Sequence, residues 1–148
     1  MIFETHAHYD DEKFKNDQDE TIKRVHDSGV DPIINVGASI GSTKTTLALA
    51  DKYDFIYAAV GVHPSDISGL NEETFDWLKK QTMLEKTVAV GEIGLDYYWD
   101  KESHELQKEW FKKQMELAKE VDLPVIVHSR EAAQDTFDLI KSEHAGTT

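Results

Sequence analysis

The sequence predicts an α/β fold, and three features of the chain lead to that prediction. Short apolar segments rich in β-branched residues alternate with longer segments in which apolar residues recur at helical spacing. The short segments are apolar along their whole length, which is typical of strands in a parallel sheet with helices on its faces. No linker or low-complexity tract interrupts the alternation, so we predict a single domain over residues 1–148.

The first part of the chain is predicted to form two strand and helix pairs. Ile2 to Tyr9 is a short apolar opening, and Asp10 to Gly29 contains a helix that ends at the glycine. Pro32 to Ser39 is apolar and β-branched, which indicates a second strand. Ser42 to Tyr53 carries apolar residues at helical spacing and is predicted to form the second helix.

The middle of the chain continues the alternation. Ile56 to Val62 is predicted to be the third strand, and Asn71 is placed to cap the third helix. Thr87 to Val90 is predicted to be the fourth strand, which runs into a Gly-Glu-Ile-Gly-Leu-Asp segment. Ser103 to Val121 is predicted to be the fourth helix. Its inward stripe is predicted to consist of Leu106, Trp110, Leu117 and Val121.

Among parallel α/β folds, a TIM-type (β/α)8 barrel is favoured over a doubly wound sheet. No glycine-rich phosphate-binding turn follows the first strand, and candidate ligands follow several strands at one end. The fifth strand, Pro124 to Val127, and the fifth helix, Glu131 to Glu143, complete about five βα units. A full barrel needs eight units in about 250 residues. We therefore expect a partial barrel, whose open edge strands would favour an oligomer if nothing else covers them.

Composition and charge limit the functions that the chain can have. It is 39% hydrophobic, and it shows neither a membrane-length apolar run nor a signal-peptide pattern, so a cytoplasmic protein without membrane partners is expected. Cysteine is absent, so a metal must be bound by His, carboxylate or water. The formal net charge of -13 argues against a stable nucleic-acid complex. Catalysis on phosphates stays open, because bound divalent cations reverse the local potential.

Histidines and one carboxylate follow several of the predicted strands. His6 and His8 are two residues apart in the first strand, so their imidazoles are predicted to share a face with Ile2 and Glu4 and to converge. Further candidates stand at the ends of the third, fourth and fifth strands, and these are His63, Glu92 and His128. Together, His6, His8, Glu92 and His128 are suited to a binuclear metal centre. Singly, Glu92 is equally explained as a solvated loop residue and His128 as a core histidine.

Four short motifs, in order along the chain, resemble the signatures of the TatD family of metal-dependent deoxyribonucleases. They are Phe3-Glu4-Thr5-His6-Ala7-His8, Gly61-Val62-His63-Pro64, Gly91-Glu92-Ile93-Gly94-Leu95-Asp96-Tyr97 and Pro124-Val125-Ile126-Val127-His128-Ser129-Arg130. The resemblance implies an amidohydrolase-like barrel that hydrolyses DNA with two divalent ions, which are Mg, Mn or Zn. It further implies that His6 and His8 bind one ion, catalytic Glu92 bridges both, and His128 binds the second.

Two departures from the family pattern concern the metal site. Glu4 stands where such proteins usually have Asp, which is a change next to the site. The family's remaining metal-binding His, and the Asp that serves as ligand and base, would lie beyond Thr148. The sequence therefore also allows a truncated fragment that binds metal without catalysis.

Substrate-binding residues are predicted around the same site. Arg130 is suited to grip a phosphate oxygen, although a salt bridge to a neighbouring helix explains it equally well. His63 is predicted to touch substrate, or alternatively to shape the turn before a proline. The cluster Tyr97, Tyr98 and Trp99 is suited to stack on a nucleobase, but core cover is the favoured explanation.

The nearest competing enzyme class is a hydrolase of carbon-nitrogen or other ester bonds in the same broad class of barrels. A His-x-His strand serves those enzymes as well. They often use a modified lysine as the bridge on the fourth strand, where this chain has Glu92. The carboxylate therefore favours phosphodiester chemistry.

Overall fold

A computed structural model describes residues 2–99 and 103–144 of the chain. Five strands are formed: β1 (Ile2–Ala7), β2 (Val30–Val36), β3 (Ile56–Val60), β4 (Thr87–Asp96) and β5 (Val125–Arg130). Five α-helices alternate with them: α1 (Gln18–Asp27), α2 (Ile40–Lys52), α3 (Glu72–Gln81), α4 (His104–Glu120) and α5 (Ala133–His144). No helix in the described ranges is both long and apolar enough to cross a bilayer.

The strands form one parallel sheet in the order β1-β2-β3-β4-β5, curled into half of a barrel. Parallel pairing brings the carboxyl ends of all five strands to one edge of the sheet. The predicted α/β class and parallel sheet are confirmed. Within the described residues, β1 and β5 each pair with only one neighbour, so both outer edges of the sheet are open.

Apolar side chains pack on both faces of the sheet, but very unequally. The larger cores fill the space between the sheet and its helices, and Ile22, Ile33 and Leu78 are fully buried there. The concave face carries a small cluster built on Ile34, Val36, Ala59 and Ala89. A groove of about 390 Å³ runs over this concave cluster, and Phe3, which is 58% exposed, lies at its side.

The first strand departs from strict alternation. Its pairing with β2 is irregular between Glu4 and Ala7. As a result Phe3 and Thr5 line the concave groove, whereas Ala7 and Tyr9 pack in the outer core. The prediction that His6 and His8 share a face with Ile2 and Glu4 was therefore wrong, because a bulge changes the phase of the strand.

The fourth strand is longer than predicted. It runs from Thr87 to Asp96, so the segment after Val90 is part of the sheet rather than a loop. An irregularity between Val90 and Ile93 interrupts its pairing with β5. Glu92 consequently lies inside a buried strand, and Asp96 ends it.

Helix α4 packs on the sheet largely through the predicted stripe, because Trp110 and Leu117 are buried and Val121 packs partly buried against the core. Leu106 was predicted wrongly, since it is 43% exposed, and the buried face also includes Gln107 and Gln114. The Gln114 amide accepts a hydrogen bond from the Val62 N–H (2.8 Å) and donates one to the Val62 carbonyl (3.1 Å). Gln107 makes the same pair of bonds with Asp96, at 2.8 and 3.0 Å. Two buried glutamines thus hold the chain beside His63 and at the end of β4.

Replacing Gln114 with Leu is expected to lower the free energy of unfolding by about 1 to 3 kcal/mol, because the buried N–H and C=O of Val62 lose their partner. Urea unfolding followed by circular dichroism measures the change. Gln134 is exposed on α5 and bonds only within its helix, so Gln134→Leu should change stability by less than about 0.5 kcal/mol. Equal effects of the two substitutions would contradict the assigned role of Gln114.

Candidate metal centre

A cleft of about 980 Å³ opens at the carboxyl edge of the sheet. Histidines line it beside six carboxylates, namely Asp10, Asp11, Glu12, Asp66, Glu92 and Asp96. Arg130 is the one Lys or Arg side chain among the described residues that line it. The cleft is therefore strongly negative and would repel a phosphate unless cations neutralise it.

Three predicted ligands meet on one side of this cleft. The Nε2 atoms of His6 and His8 lie 3.0 Å apart. Each also lies near Oε2 of Glu92, at 3.4 Å from His6 and 3.6 Å from His8. Ligands bound to one ion at about 2.0 to 2.1 Å are separated by about 2.9 to 3.4 Å in octahedral or tetrahedral geometry. The observed spacing is close to that of a first coordination shell.

His8 is oriented by a backbone contact behind the site. Its Nδ1 lies 2.9 Å from the Val36 carbonyl, which can only accept a hydrogen bond, so Nδ1 carries a proton. In the neutral ring the lone pair is then on Nε2, the atom that faces Glu92. Buried Asn35 fixes the next residues by accepting from the Tyr9 N–H (2.7 Å) and donating to Asp10 (2.9 Å).

Glu92 is a buried carboxylate among imidazoles. Burial and the imidazoles shift its pKa in opposite directions. Burial by itself raises the pKa, but the close contact with His8 and the charges of His6, His63 and His128 lower it to about 2. The same contact with Glu92 raises the pKa of His8. The carboxylate is thus anionic at neutral pH and is placed between two groups of imidazoles.

His128 approaches Glu92 from the side of β5. Its Nδ1 lies 3.2 Å from Oε1 of Glu92, and its Nε2 lies 2.9 Å from Oδ2 of Asp96. Burial raises the pKa of Asp96, but hydrogen bonds from the Trp99 N–H, His128 and the Tyr98 N–H lower it below the usual range. Anionic Asp96 accepts a hydrogen bond from the Nε2–H group of His128. The lone pair of Nδ1 therefore points toward Glu92.

His63 forms a second candidate group with Glu92 and His128, in which the ligand atoms lie within 4.8 Å of one another. Its Nδ1 accepts the Ser65 N–H at 3.1 Å, so the proton of the neutral ring is on Nε2. Burial, followed by the charge of His128, lowers the pKa of His63 and favours that neutral form. In this tautomer His63 offers the cleft a hydrogen-bond donor rather than a lone pair.

Arg130 and the aromatic residues after β4 form the rim of the cleft. The guanidinium lies 3.9 Å from the ring centre of Tyr98 and 5.4 Å from that of Trp99. Within the described residues no carboxylate forms an ion pair with it, so stacking takes the place of the salt bridge considered above. Trp99 is 69% exposed, and the favoured prediction that this cluster covers the core was wrong for Tyr98 and Trp99.

The family model described as "TatD related DNase" matches residues 3–148. The chain belongs to this family. The TatD resemblance predicted from the four motifs is thereby confirmed.

Relatives within the TatD family cover nearly the whole chain. The Bacillus subtilis protein named "Uncharacterized metal-dependent hydrolase YabD" is 43% identical over 98% of this chain and 57% of its own length. The Dickeya dadantii protein named "3'-5' ssDNA/RNA exonuclease TatD" is 30% identical over 88% of this chain and 50% of its own. The chain spans about half the length of these relatives.

A solved TatD structure has the same fold. The crystal structure of the Escherichia coli TatD homologue YjjV superposes with a TM-score of 0.88 at 34% sequence identity. The match covers 96% of this chain and 56% of that one. The half-barrel therefore corresponds to part of a TatD protein.

Sequence reasoning did not assign a role to two residues of this site. Asp96 orients His128, and its signal was present as the last residue of the Gly-Glu-Ile-Gly-Leu-Asp motif. Gly94 has φ +145°, and a Cβ built there would meet the His128 carbonyl oxygen, so only glycine lets β4 approach β5 at this point. Both residues act by placing His128.

Replacing Glu92 with Gln is expected to destabilise the metal-free protein in a pH-dependent way. Folding lowers this pKa from 4.5 to about 2, so the stabilisation is complete above pH 4.5 and is lost as the pH falls toward 2. The wild type should exceed the variant by up to about 3 kcal/mol near pH 6 and by less than half of that near pH 3. Urea unfolding at both pH values measures the difference.

The exposed Glu116 on α4 provides the matched control for this comparison. Glu116→Gln should differ little from the wild type at either pH, since its carboxylate has no buried partners to lose. A constant difference between wild type and Glu92→Gln across the two pH values would contradict the electrostatic account of Glu92.

Proposed function

We propose that this chain supplies the metal-binding part of a TatD-type hydrolase that cleaves phosphodiester bonds in DNA. The observation that carries the proposal is the position of anionic Glu92 between the Nε2 atoms of His6 and His8 and the Nδ1 atom of His128. Membership of the TatD family and the names of the relatives as metal-dependent hydrolases support it. The cytoplasmic location expected from the sequence stays a prediction.

The ligand groups suggest a binuclear centre. His6 and His8 would hold one ion, His128 would hold the other, and Glu92 would bridge them as the catalytic carboxylate. Imidazole and carboxylate ligands without thiolate suit Mg, Mn and Zn. Hydrogen bonds behind the ligands would orient the imidazoles for metal binding. The Val36 carbonyl accepts one from His8, and Asp96 accepts one from His128.

The chemistry divides between the ions and the protein. When bound, two divalent ions would polarise a phosphodiester and lower the pKa of a bound water. Neutral His63 would donate a hydrogen bond from its Nε2–H to a phosphate oxygen and would keep that proton. Arg130, the one arginine of the cleft lining, would grip a non-bridging oxygen of the phosphate. Both contacts place the phosphate in the cleft near Glu92.

Single-stranded DNA is the proposed substrate. Some TatD relatives are named as 3'-5' exonucleases of single-stranded DNA and RNA. The net charge of -13 and the six carboxylates of the cleft disfavour a stable nucleic-acid complex without metal. Binding of DNA is therefore proposed to be transient and dependent on the divalent ions.

The active form is proposed to contain a closed TIM-type barrel, of which this chain contributes about five units. The exposed Phe3, the apolar concave groove and the open edges of β1 and β5 support additional strands or a second copy at this face. The share of the YjjV chain that is matched, 56%, agrees with that view.

A second candidate function is metal binding without catalysis. The observation that favours it is the match to only about half of each relative's length. A hydrolase of carbon-nitrogen or other ester bonds is the remaining alternative, and the carboxylate at position 92 argues against it.

Metal binding is expected to need the β1 histidines. Titration calorimetry with Mn²⁺ or Zn²⁺ should show at least about tenfold weaker binding by His6→Ala or His8→Ala. Because Glu92 raises the pKa of His8, the ion must displace a proton, so affinity should increase as the pH rises and protons should be released. His26→Gln, on α1 and away from the cleft, is the matched control. Unchanged affinity in His8→Ala would rule out the proposed ligands.

Cleavage is expected to depend on both the ions and Glu92. With Mn²⁺ or Mg²⁺, single-stranded DNA should be hydrolysed, whereas a dihydropyrimidine and a simple ester should not be. Glu92→Gln should lower kcat by at least about 100-fold, because several kcal/mol of charge stabilisation are lost. Glu116→Gln should retain the wild-type rate.

The same assay separates the candidate functions. It is run on the chain alone and on the chain mixed with the remaining part of the Bacillus subtilis relative. Cleavage only in the mixture supports a closed barrel as the active form. Tight metal binding without cleavage in either sample overturns the hydrolase proposal and leaves the non-catalytic one.

A further inference from the structure

We propose that Trp99 is a stacking platform for an unpaired nucleobase, next to a phosphate contact made by Arg130. The inference rests on the proposed function and deepens it by naming what holds the substrate outside the metal centre. Its starting point is the exposed group of Tyr98, Trp99 and Arg130 at the rim of the same cleft that contains Glu92 and His128.

The backbone at Trp99 is held by Asp96, which also contacts a proposed metal ligand. One oxygen of Asp96 accepts the backbone N–H groups of Tyr98 (3.0 Å) and Trp99 (3.2 Å). The other oxygen of Asp96 contacts Nε2 of His128 at 2.9 Å. A single buried carboxylate thus ties the aromatic turn to a proposed metal ligand, so the backbone that carries the indole is held beside the cleft.

The packing of the three rim side chains leaves much of the Trp99 ring exposed. The guanidinium of Arg130 covers Tyr98, at 3.9 Å from its ring centre. The rings of Tyr98 and Trp99 are perpendicular with centres 4.7 Å apart, and the guanidinium lies farther from Trp99, at 5.4 Å from its ring centre. Trp99 is 69% exposed and lines the cleft. A planar base is the ligand that fits such an open aromatic face.

Charge explains why stacking suits this cleft. Among the residues that the structure describes, six carboxylates and one arginine line it, so these groups contribute little to affinity by neutralising phosphates. Stacking on an aromatic ring does not depend on charge and accepts every base. Inside a duplex both faces of a base are covered by its stacked neighbours, and a terminal pair is held rigidly by its partner strand, whereas an unpaired base can turn onto the ring, so the platform favours single-stranded ends over blunt duplex.

The test uses binding, so it does not require turnover. Wild-type protein with Mg²⁺ is titrated with a short phosphorothioate oligothymidylate, with an abasic oligonucleotide of equal length and with a blunt duplex, and tryptophan fluorescence is recorded. The thymidylate should quench the fluorescence and bind most tightly. Trp99→Ala should weaken thymidylate binding by about 5- to 100-fold and leave abasic binding unchanged.

Two variants serve as controls for the stacking test. Trp99→Phe keeps an aromatic face and should retain most of the affinity. Trp77→Phe removes a tryptophan from helix α3 and should retain the quenching. Arg130→Gln should weaken binding of the thymidylate and the abasic oligonucleotide by the same factor, because its contact is with phosphate.

The outcomes distinguish this inference from the proposed function. Equal binding of base-containing and abasic oligonucleotides, binding of neither, or an unaffected Trp99→Ala variant overturns the stacking platform. Base-dependent binding without metal-dependent cleavage overturns the hydrolase proposal and leaves the platform in place.

Discussion

The site depends on one buried anion. Glu92 is 9% exposed inside a strand, where burial alone would favour its neutral form. The imidazoles of β1, β5 and the loop after β3 reverse that preference and keep the carboxylate charged. They also suit the ions that the site is proposed to hold, because a cation replaces protons in the same positions. The order of the strands brings these groups together, because β4 carries the carboxylate beside β5 and within reach of β1.

Much of this arrangement follows from sequence pattern because parallel pairing is restrictive. Alternating apolar segments and helices predict the α/β class, and one sheet direction brings every strand end to one edge. The ends of β1 and β5 then bring His8 and His128 to the same cleft without knowledge of side-chain packing. Asn71 likewise caps α3 as predicted, because capping depends on residues three apart in the chain.

The details that the sequence pattern did not predict depend on contacts between residues far apart in the chain. A bulge in β1 puts Phe3 and Ala7 on different faces, and bulges leave no periodic signal in one strand. Gln107 and Gln114 are polar in sequence, yet α4 buries them because each satisfies a backbone N–H and C=O outside the helix. The predicted fourth strand ended at Val90, whereas β4 continues to Asp96. Gly91 and Gly94 let the neighbouring backbone of β5 approach closely in this added part.

The acidic cleft has a consequence for how a polyanion would be selected. A protein with a net charge of -13 gains no general attraction for nucleic acid, so long duplex tracts find no favourable surface on it. Affinity would have to come from groups at defined positions, namely the ions proposed around Glu92, the Arg130 guanidinium and the exposed Trp99 indole. Each would act only on a short stretch of nucleic acid that enters the cleft. The proposed site would therefore select for a phosphate and an unstacked base that fit together, at the expense of tight binding.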